Sequence, residues 1–559
     1  MPILLSPGVA IVEKDFTNIV PAIASSACGY AGVYAWGPVM KPTTVTTEND
    51  LVALFGKPTK LSAQSFFTAA NFLSYSSNLL NIRIETSAQK NATIGGAALV
   101  INNSDEYDAE FSAHAGAQTF ATKYPGALGN SIAISIADSA NYTTWDYKTQ
   151  FSYAPGNSTF AASKGSTVND EMHIVVVDAL GEWTGTPGAI LEKFSFVSKA
   201  SNARTENGTN NYYKDVLNTT SEYVWALNHP EDANWGTELV SSTAYDALTE
   251  AFTEIFVGGV DSFTATNSEQ MNAYALLDNN ELYQIAYIAA GKADATVADF
   301  IISSIAEVRK DVIAFISPQD ISTDAIIIGS GSVVTGKINA YRNELPSTSF
   351  AAIDTGYKYQ YDRYNDQYLY VPLNGDIAGL CARTDLSNDP WFSPGGLNRG
   401  QIKNVVKLAV NPTQADRDAL YTNGVNPVVA FPGQGVVLYG DKTMLAKPSA
   451  FDRIGVRRLF IILEKSVSVA AKYQLFEFND GFTRNQFKNM IVPFLRDIQG
   501  RRGIADFSVV CDTTNNTDQV VMSNNFVADI YIKPNYSINY ITLNFIAGRQ
   551  AVAFSTTGA

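Results

Sequence analysis

Residues 295–318, ATVADFIISSIAEVRKDVIAFISP, join a helical pattern to a fully apolar run of strand length. Apolar residues recur at helical spacing from Ala295 to Val312, and residues 313–316 (IAFI) follow before Ser317 and Pro318 end the run. A strand that is apolar on both faces is typical of a parallel sheet covered by helices. The stretch therefore predicts an α/β layer.

Toward the N-terminus, residues Ala63–Tyr75 have one apolar face and predict a helix, as does the spacing over Thr243–Phe256. Between about residues 91 and 228 the sequence is rich in Asn, Ser, Thr and Gly. Short strand-like islands interrupt this region at Ser131–Ala137, Met172–Asp178 and Phe194–Ser198. We expect one or two β-rich inserted domains there.

Toward the C-terminus, a Tyr-rich loop is predicted over Tyr357–Tyr370, and a strand over Arg458–Leu463. A helix over Thr483–Gln499 and a strand over Phe507–Cys511 follow. These elements again indicate an α/β or α+β arrangement. At 559 residues the chain is long enough for several domains, so a multidomain α+β and α/β protein is expected.

The composition excludes several classes of protein. The chain has 39 basic against 54 acidic residues, a formal charge of −15, which disfavours binding to nucleic acid. No apolar run approaches the ~20 residues that span a bilayer, so no membrane insertion is expected. Pro2 and Pro7 interrupt the N-terminal apolar stretch, which also lacks the basic start of an export signal. We therefore expect a protein made in the cytoplasm.

The residues give little support to catalysis or cofactor binding. The sequence has three histidines and no G-x-S-x-G motif, so a serine hydrolase is not predicted. Cys28, Cys381 and Cys511 form no C-x-x-C pair and are interpreted as buried free thiols. We expect no enzyme activity, no cofactor and no metal site.

Two motifs leave alternatives open. The segment 331–337, GSVVTGK, has P-loop spacing, but Ile338 follows where Mg²⁺ binding needs Ser or Thr. A P-loop-like NTPase around Lys337 is therefore an alternative of another class. The tyrosines of Tyr357–Tyr370 leave open a monomeric adhesin or carbohydrate-binding module.

Residues 481–502 contain five basic residues and one acidic residue in an otherwise acidic chain. Five apolar residues at three/four spacing predict the buried face of the helix here: Phe487, Ile491, Phe494, Leu495 and Ile498. Arg484 and Lys488 are expected along its margin, and Pro493 predicts a bend or a missing hydrogen bond. The basic margin is interpreted either as ordinary solvated charge or as a docking surface for an acidic partner.

Both ends of the chain contain apolar runs of strand length, at Val9–Glu13, Ser537–Phe545 and Ala551–Phe554. Such terminal strands either complete their own sheet or add to the edge of a sheet in another chain. The periodicity by itself favours the chain's own sheet.

Blocks of sequence along most of the chain resemble the sheath proteins of contractile bacteriophage tails, particularly the T-even type. The longest blocks are YVPLNGDIAGLCARTD (370–385), PWFSPGGLNRG (390–400), RRLFIILEKSV (457–467) and KPNYSINYITLNF (533–545). Shorter phrases lie earlier: PGVAIVE at Pro7, WGP at Trp36, LFG at Leu54, KYPGALGN at Lys123, VGGVDS at Val257 and DVIAFISP at Asp311. The similarity is dense after residue 340 and sparse between 90 and 230.

The resemblance implies a structural subunit of the virion. Such subunits stack as hexameric rings around a tail tube, and a metastable lattice contracts to drive the tube through the host envelope. The implied partners are other copies of the chain, the tube protein, and the baseplate and tail terminator proteins. A related contractile injection particle, a bacteriocin or extracellular device, is the nearest alternative, and assembly is expected in the host cytoplasm.

The resemblance also implies roles for particular residues. It favours terminal strands that add to a sheet in a neighbouring subunit over strands that complete the chain's own sheet. Exchange of terminal strands between subunits is expected at Val9, Ala10, Ile11, Val12, Ala551, Val552, Ala553 and Phe554. A helix of the C-terminal domain faces the tube in this family, so tube contacts are expected from Arg484, Lys488, Arg496, Arg501 and Arg502.

The expected domains follow from the same comparison and from the shifts in composition. They are an N-terminal exchange arm (1–20), a discontinuous α/β middle domain (21–90 and 235–345) and β-rich outward domains (91–234). A tube-facing α/β C-terminal sheath domain (346–536) and a C-terminal strand and exchange arm (537–559) complete the chain.

Overall fold

Helices and strands alternate through most of the chain in the computed structural model, which describes residues 26–114, 116–230 and 234–542. The described residues form two compact units. The larger unit contains residues 26–390 and 394–464, apart from the gaps just given, and the smaller unit contains residues 391–393 and 465–542.

The strands are β1 Cys28–Gly32, β2 Thr43–Val45, β3 Leu79–Arg83, β4 Thr93–Ile94, β5 Phe120–Thr122, β6 Ile132–Asp138, β7 Glu171–Asp178, β8 Ala189–Ser198, β9 Val224–Ala226, β10 Phe252–Ile255, β11 Tyr287–Ala289, β12 Ile313–Ile316, β13 Ala351–Ile353, β14 Tyr357–Asp362, β15 Gln367–Pro372, β16 Lys407–Leu408, β17 Val428–Phe431, β18 Gly435–Leu438, β19 Ile504–Val510 and β20 Asp529–Pro534.

The helices are α1 Glu48–Phe55, α2 Ala63–Leu73, α3 Ser104–Glu106, α4 Thr159–Ser163, α5 Tyr213–Thr220, α6 Asn267–Ala275, α7 Ala295–Phe300, α8 Glu307–Arg309, α9 Ser332–Glu344, α10 Asn374–Ser387, α11 Gln414–Thr422, α12 Ile454–Lys472, α13 Gly481–Gly500 and α14 Asp518–Met522. Two π-helical turns, Tyr107–Phe111 and Ile301–Ala306, extend α3 and join α7 to α8. None of the helices among the described residues combines the length and apolar character needed to cross a bilayer.

A six-stranded sheet forms the centre of the larger unit, in the order β13-β12-β11-β1-β3-β2. Neighbouring strands are parallel except β2, which pairs antiparallel with β3. Ile313 and Phe315 of β12 belong to one buried cluster, with residues of α2 and α10. Ala314 and Ile316 belong to another, with residues of α7 and α9. Helices thus cover both faces, and the α/β layer predicted from residues 295–318 is confirmed.

The β-rich region predicted from composition contains a four-stranded antiparallel sheet in the order β10-β6-β7-β8. Its core includes Ile134, Ile136, Met172, Ile174 and Val176. A smaller sheet, β4-β5-β9, lies beside it in the same stretch of sequence. The three predicted strand islands are confirmed as parts of β6, β7 and β8, except that Ser131 directly precedes β6.

Arg83, at the end of β3, joins this β-rich region to the central sheet. Its side chain is 2% exposed, and its two terminal nitrogens donate to the carbonyls of Gly37, at 3.0 Å, and Pro125, at 2.7 Å. Burial lowers the pKa of the guanidinium to about 10. Gly126 beside it has φ +150°, and an added Cβ would lie 2.4 Å from the Ala35 carbonyl. The phrases WGP and KYPGALGN, which lie far apart in sequence, therefore meet at one buried cation.

The helix predicted over Thr243–Phe256 is wrong, because within this stretch only β10 is regular. The apolar residues that suggested a helix are instead buried individually, from irregular backbone. Leu248 is 4% exposed and its N–H donates to Asp138, and the Tyr245 hydroxyl donates to the Thr237 carbonyl. Irregular backbone can bury residues at helical spacing without forming a helix.

The strand predicted over Arg458–Leu463 is also wrong, since these residues lie inside α12. Arg458 is buried and pairs with Asp385, and its guanidinium also donates to the Cys381 carbonyl at 2.9 Å. A helix that is buried nearly all round shows no polar face, so its apolar run is indistinguishable from that of a buried strand.

Two smaller predictions need correction. The Tyr-rich segment Tyr357–Tyr370 is not a loop but a hairpin of β14 and β15, with paired rings such as Tyr359 and Tyr370, whose centroids are 4.7 Å apart. The apolar run Ala325–Ile328, which its composition predicts as a strand before the P-loop-like segment, contains only an isolated bridge, between Ile326 and Gln319. The three cysteines are free and buried, as predicted.

Asp354, directly after β13, is a buried acid. We expect its protonation to make the free energy of unfolding depend on pH. Its carboxylate accepts hydrogen bonds from the Ser317 hydroxyl, at 2.8 Å, and the Gly356 N–H, at 2.6 Å. Burial nevertheless raises the pKa of Asp354 well above its ordinary value. The folded protein therefore holds this proton to higher pH than the unfolded chain, and stability falls as pH rises from near 4 toward the raised pKa.

Asp354→Asn is expected to remove that loss. The free energy of unfolding of the variant, relative to wild type, should rise with pH above about pH 4 by at most ~1.4 kcal/mol per unit. Urea unfolding at pH 4, 5, 6 and 7 measures it, with Asp418→Asn, at an exposed position, as control. A difference between variant and wild type that stays constant with pH would contradict the assignment.

Candidate assembly surface

The basic helix predicted in the C-terminal region is α13. Its N-cap is Asp480, whose carboxylate accepts the Thr483 N–H at 2.8 Å, and this hydrogen bond holds the pKa of Asp480 below its ordinary value. Four residues of the predicted apolar face are buried, as expected: Phe487, Ile491, Leu495 and Ile498. The fifth, Phe494, is half-buried. Phe487 also meets Phe526 edge to face, with ring centroids 5.4 Å apart.

Arg484 does not stand on the exposed margin of this helix, and that expectation is corrected. Its side chain is buried, and its guanidinium donates to the Asn479 side-chain oxygen at 2.8 Å and to the Asn479 carbonyl at 3.0 Å. The long, flexible arginine folds back over the helix start, because the carbonyl and amide oxygen there need donors. Arg484 therefore fixes the segment before α13.

The other four basic residues keep solvent access. Lys488 is half-buried, and Arg496, Arg501 and Arg502 are exposed. The guanidinium of Arg501 lies 5.1 Å from the Trp391 ring centroid and 3.5 Å from the Asp497 carboxylate. At helical spacing, Arg496 shares the exposed face of α13 with Phe482, Asn489 and Pro493. The face available to a partner is therefore mostly uncharged, with cations toward its C-terminal end.

Pro493 lies inside α13 on that exposed face. Proline has no N–H, so the carbonyl of Asn489 lacks its usual donor four residues on. The helix continues through Gly500, and the Asn489 carbonyl is left as a hydrogen-bond acceptor for a partner that binds this face.

The smaller unit also contains a two-stranded antiparallel sheet, β19 and β20, with a bulge between Ile504 and Asp506. Within residues 465–542, neither strand pairs along its outer edge with another strand. Two strands alone are a marginal sheet. Unpaired N–H and C=O groups along such edges favour the addition of further strands.

The predicted strand Ser537–Phe545 is not found in its described part, residues 537–542, which pair with no strand there. Tyr536 directly before this part, and Ile538 and Tyr540 within it, are 59%, 81% and 81% exposed. The predicted exchange residues Val9, Ala10, Ile11, Val12, Ala551, Val552, Ala553 and Phe554 lie outside the described residues.

The P-loop-like segment has the wrong geometry for a nucleotide. Helix α9 begins at Ser332, directly after the first glycine of the motif, so no loop remains to surround a phosphate. The ammonium of Lys337 lies 2.6 Å from the Asp320 carboxylate. Thr335 donates to the Asp416 carboxylate at 3.1 Å, which places an anion at the start of the helix.

Sequence reasoning missed two features of this surface. One is the anchoring role of Arg484, which depends on a loop conformation that spacing does not reveal. The other is a group of exposed aromatic residues between α12 and α13, whose signal was the unusual density of rings in YQLFEFNDGF, residues 473–482.

Three family models match the chain. The tail sheath protein Gp18 domain III N-terminal region matches residues 27–84, and the phage tail sheath protein central domain matches residues 265–444. The phage tail sheath C-terminal domain matches residues 446–547, which include α13 and the two-stranded sheet. The first two matches leave residues 85–264, which contain the β-rich region, between them.

Curated relatives align over nearly their whole length. The tail sheath protein of Vibrio phage KVP40 is 34% identical, over 97% of this chain and 98% of the relative. The tail sheath protein of Salmonella phage ViI is 31% identical, over 99% of this chain and 97% of its own. The tail sheath protein of Enterobacteria phage T4 is also 31% identical, over 99% of this chain and 98% of the relative.

Solved structures show the same fold at low identity. The sheath tail protein of Listeria innocua superposes with a TM-score of 0.54 at 12% identity, covering 92% of this chain and 96% of that chain. The helical sheath of the anti-feeding prophage in its contracted state gives a TM-score of 0.52 at 12% identity, covering 97% and 99%.

Fold, matched segments and relatives together define a structural protein of a contractile tail. The chain belongs to the family of tail sheath proteins of contractile bacteriophages. The resemblance seen in the sequence blocks is confirmed, and so is the mixed α/β fold class. The protein is therefore a sheath subunit and a component of the virion.

Proposed function

We propose that this subunit polymerises as stacked hexameric rings around a tail tube and contracts to drive the tube through the host envelope. The observation that carries the proposal is the sheet of the smaller unit. Among residues 465–542 this sheet contains only β19 and β20, and no third strand pairs along either edge. Strands from neighbouring copies would add to these edges.

Strand exchange suits a lattice that must rearrange without falling apart. Several main-chain hydrogen bonds must break together before a subunit escapes, so exchanged strands act as tethers. Weaker polar contacts between subunits can meanwhile break in the extended lattice and form with other partners in the contracted one. If contraction buried about 200 Å² more apolar surface per subunit, it would gain roughly 5 kcal/mol at ~25 cal/mol/Å². The lattice itself can therefore store the energy, and no nucleotide is required.

The remaining roles follow from the same arrangement. We assign residues 1–20 and 537–559 to exchange arms, residues 346–536 to the tube-facing domain, and residues 91–234 to domains that point outward from the middle domain, 21–90 and 235–345. The tube, baseplate and tail terminator proteins are the proposed partners besides other copies. Assembly takes place in the host cytoplasm. A contractile injection particle is the alternative, and the higher identity of the phage relatives, 31–34% against 12%, favours a phage tail.

The proposed tube contact is tested by reversing charge on α13. Because Arg484 is buried, the informative variant is Lys488→Glu with Arg496→Glu. We expect assembly on purified tubes to fall about tenfold, which corresponds to ~1.4 kcal/mol from two reversed rim charges, whereas polymerisation of the sheath protein alone is unchanged. Sedimentation with tubes and electron microscopy of the pellets measure both.

Lys164→Glu with Lys193→Glu, at exposed positions of the region 91–234, applies the same charge change as a control. Equal tube assembly by both double variants would show that the basic margin is only solvated. A wild-type protein that forms no tubular polymer under any condition would contradict the proposed function itself.

A further inference from the structure

The segment from the end of α12 to the first two residues of α13 exposes an unusual amount of apolar surface. We call residues 473–482 the aromatic loop. Its five large apolar side chains are 62–106% exposed: Tyr473, Leu475, Phe476, Phe478 and Phe482. Covering five such side chains would bury roughly 700 Å², close to one partner's share of a standard protein interface. A surface of this size is expected to have a specific partner.

The base of the aromatic loop is held in place although its rings are exposed. The side-chain amide of Asn479 donates to the Asn525 carbonyl at 2.7 Å. Arg484 holds Asn479 from the other side with its two hydrogen bonds, and Asp480 caps the helix that follows. The rings therefore stand on a fixed base, so binding to them costs less conformational entropy than ordering a free loop.

A second exposed apolar element lies in the same unit, at the end of the described chain. Tyr536, Ile538 and Tyr540 alternate along residues 535–542, which we call the C-terminal segment, and are 59%, 81% and 81% exposed. If this segment adopts a strand conformation on docking, the three side chains share one side. Asn535 ties the start of this segment to the fold, because its N–H donates to the Gly503 carbonyl and its side-chain amide to the Arg502 carbonyl. Seventeen further residues follow position 542.

These two elements lie at opposite ends of α13. The aromatic loop ends in the first turn of the helix, which begins at Gly481, and the C-terminal segment starts beside Gly503, just past Gly500 where the helix ends. A helix of 20 residues is about 30 Å long. A contact between the loop of one copy and the segment of another therefore joins unlike ends, a head-to-tail contact that repeats along a polymer.

The charges beside the two elements have opposite signs. Glu477 is exposed within the aromatic loop. Lys533, two residues before the C-terminal segment, has a side chain that is 78% exposed, and its ammonium lies 3.8 Å from the Asp506 carboxylate. Opposite charges at the rims of two apolar surfaces favour one register of docking over others.

We propose that the aromatic loop of one copy is the docking site for the segment 536–541 of a second copy. The proposal rests on the proposed function, to which it adds the receiving surface. Rings of the loop cover the alternating side chains of the segment.

Cysteine cross-linking tests this pairing, because the three native cysteines are buried. The double variant Phe478→Cys with Tyr540→Cys replaces two side chains that are 85% and 81% exposed, so the core is untouched. Mild oxidation of polymers should give a covalent ladder of dimers, trimers and larger species on non-reducing gels. Each single variant should give dimers at most, since one cysteine per copy cannot extend a chain. Leu61→Cys with Tyr540→Cys, where Leu61 is 75% exposed, is the matched control pair.

A charge exchange gives an independent measurement. Glu477→Lys should lower the yield of polymer at least threefold, and adding Lys533→Glu should restore it. Normal polymers that give no ladder, a ladder of equal strength from the control pair, or an internal disulfide within single chains would each overturn the docking site while leaving the sheath function intact. Loss of tube binding by Phe478→Ser with normal polymerisation would also overturn it, since the loop would then serve the tube.

Discussion

A chain that lacks residues 1–14 is expected to fold normally and to lose polymerisation completely. The deletion removes the proposed N-terminal exchange strand, which contains Val9–Val12, and leaves every described residue in place. Under the proposed exchange, each missing strand would remove a whole set of main-chain hydrogen bonds between copies, and in a lattice this loss would be repeated at every subunit. Circular dichroism should match wild type, and electron microscopy should show no tubes.

Two further variants separate the sequence of the arm from its length. Replacing residues 1–14 by a glycine–serine linker of equal length should also abolish polymers, because the linker makes a poor strand. Ile11→Pro removes one N–H from the proposed ladder and should weaken polymerisation strongly. Intact tubes from the deleted chain would show that the arm is not an exchange strand.

Breaking the buried ion pair between Lys358 and Asp376 is expected to give the largest loss of stability among single substitutions. The lysine nitrogen lies 2.9 Å from the carboxylate, and both side chains are 0% exposed. Tyr75 donates to the same carboxylate oxygen at 3.0 Å, and the ammonium also donates to the Lys403 carbonyl at 2.9 Å. Lys358→Met leaves a buried acid without its cation, which should cost about 3–5 kcal/mol in urea unfolding.

The double variant Lys358→Met with Asp376→Leu is the informative comparison. It removes both charges, so its free energy of unfolding should lie closer to wild type than that of Lys358→Met alone. A single variant within ~1 kcal/mol of wild type would show that solvent or a rearranged neighbour replaces the lysine.

The sequence predicts those parts of the fold in which burial follows one period. Residues 313–316 are apolar on both sides and form a central strand, and α13 shows its buried stripe at three/four spacing. Residues 458–463 are also apolar on all sides, but there the cause is a helix buried nearly all round. Local pattern does not separate these cases, because the surroundings that bury each element come from distant parts of the chain.

The assembly surface is less predictable than the fold. Spacing places Arg484 on the margin of α13, yet its side chain turns back to Asn479 because that loop leaves oxygen acceptors nearby. The same spacing places Lys488 on the margin, and its side chain is half-buried there. Aromatic residues at 473–482 carry no periodic pattern, and their exposure follows from a fold in which neither α12 nor α13 covers them.

The buried fork of Arg83 restricts what this position can accept. Two parallel N–H groups reach carbonyls in two segments 88 residues apart, at Gly37 and Pro125. The planar guanidinium donates to both carbonyls from two separate nitrogens. A lysine would bring a single ammonium nitrogen, which could make a good hydrogen bond to one carbonyl only by losing the other. The residue at position 83 thus decides whether both segments, or only one of them, are hydrogen-bonded to the end of β3.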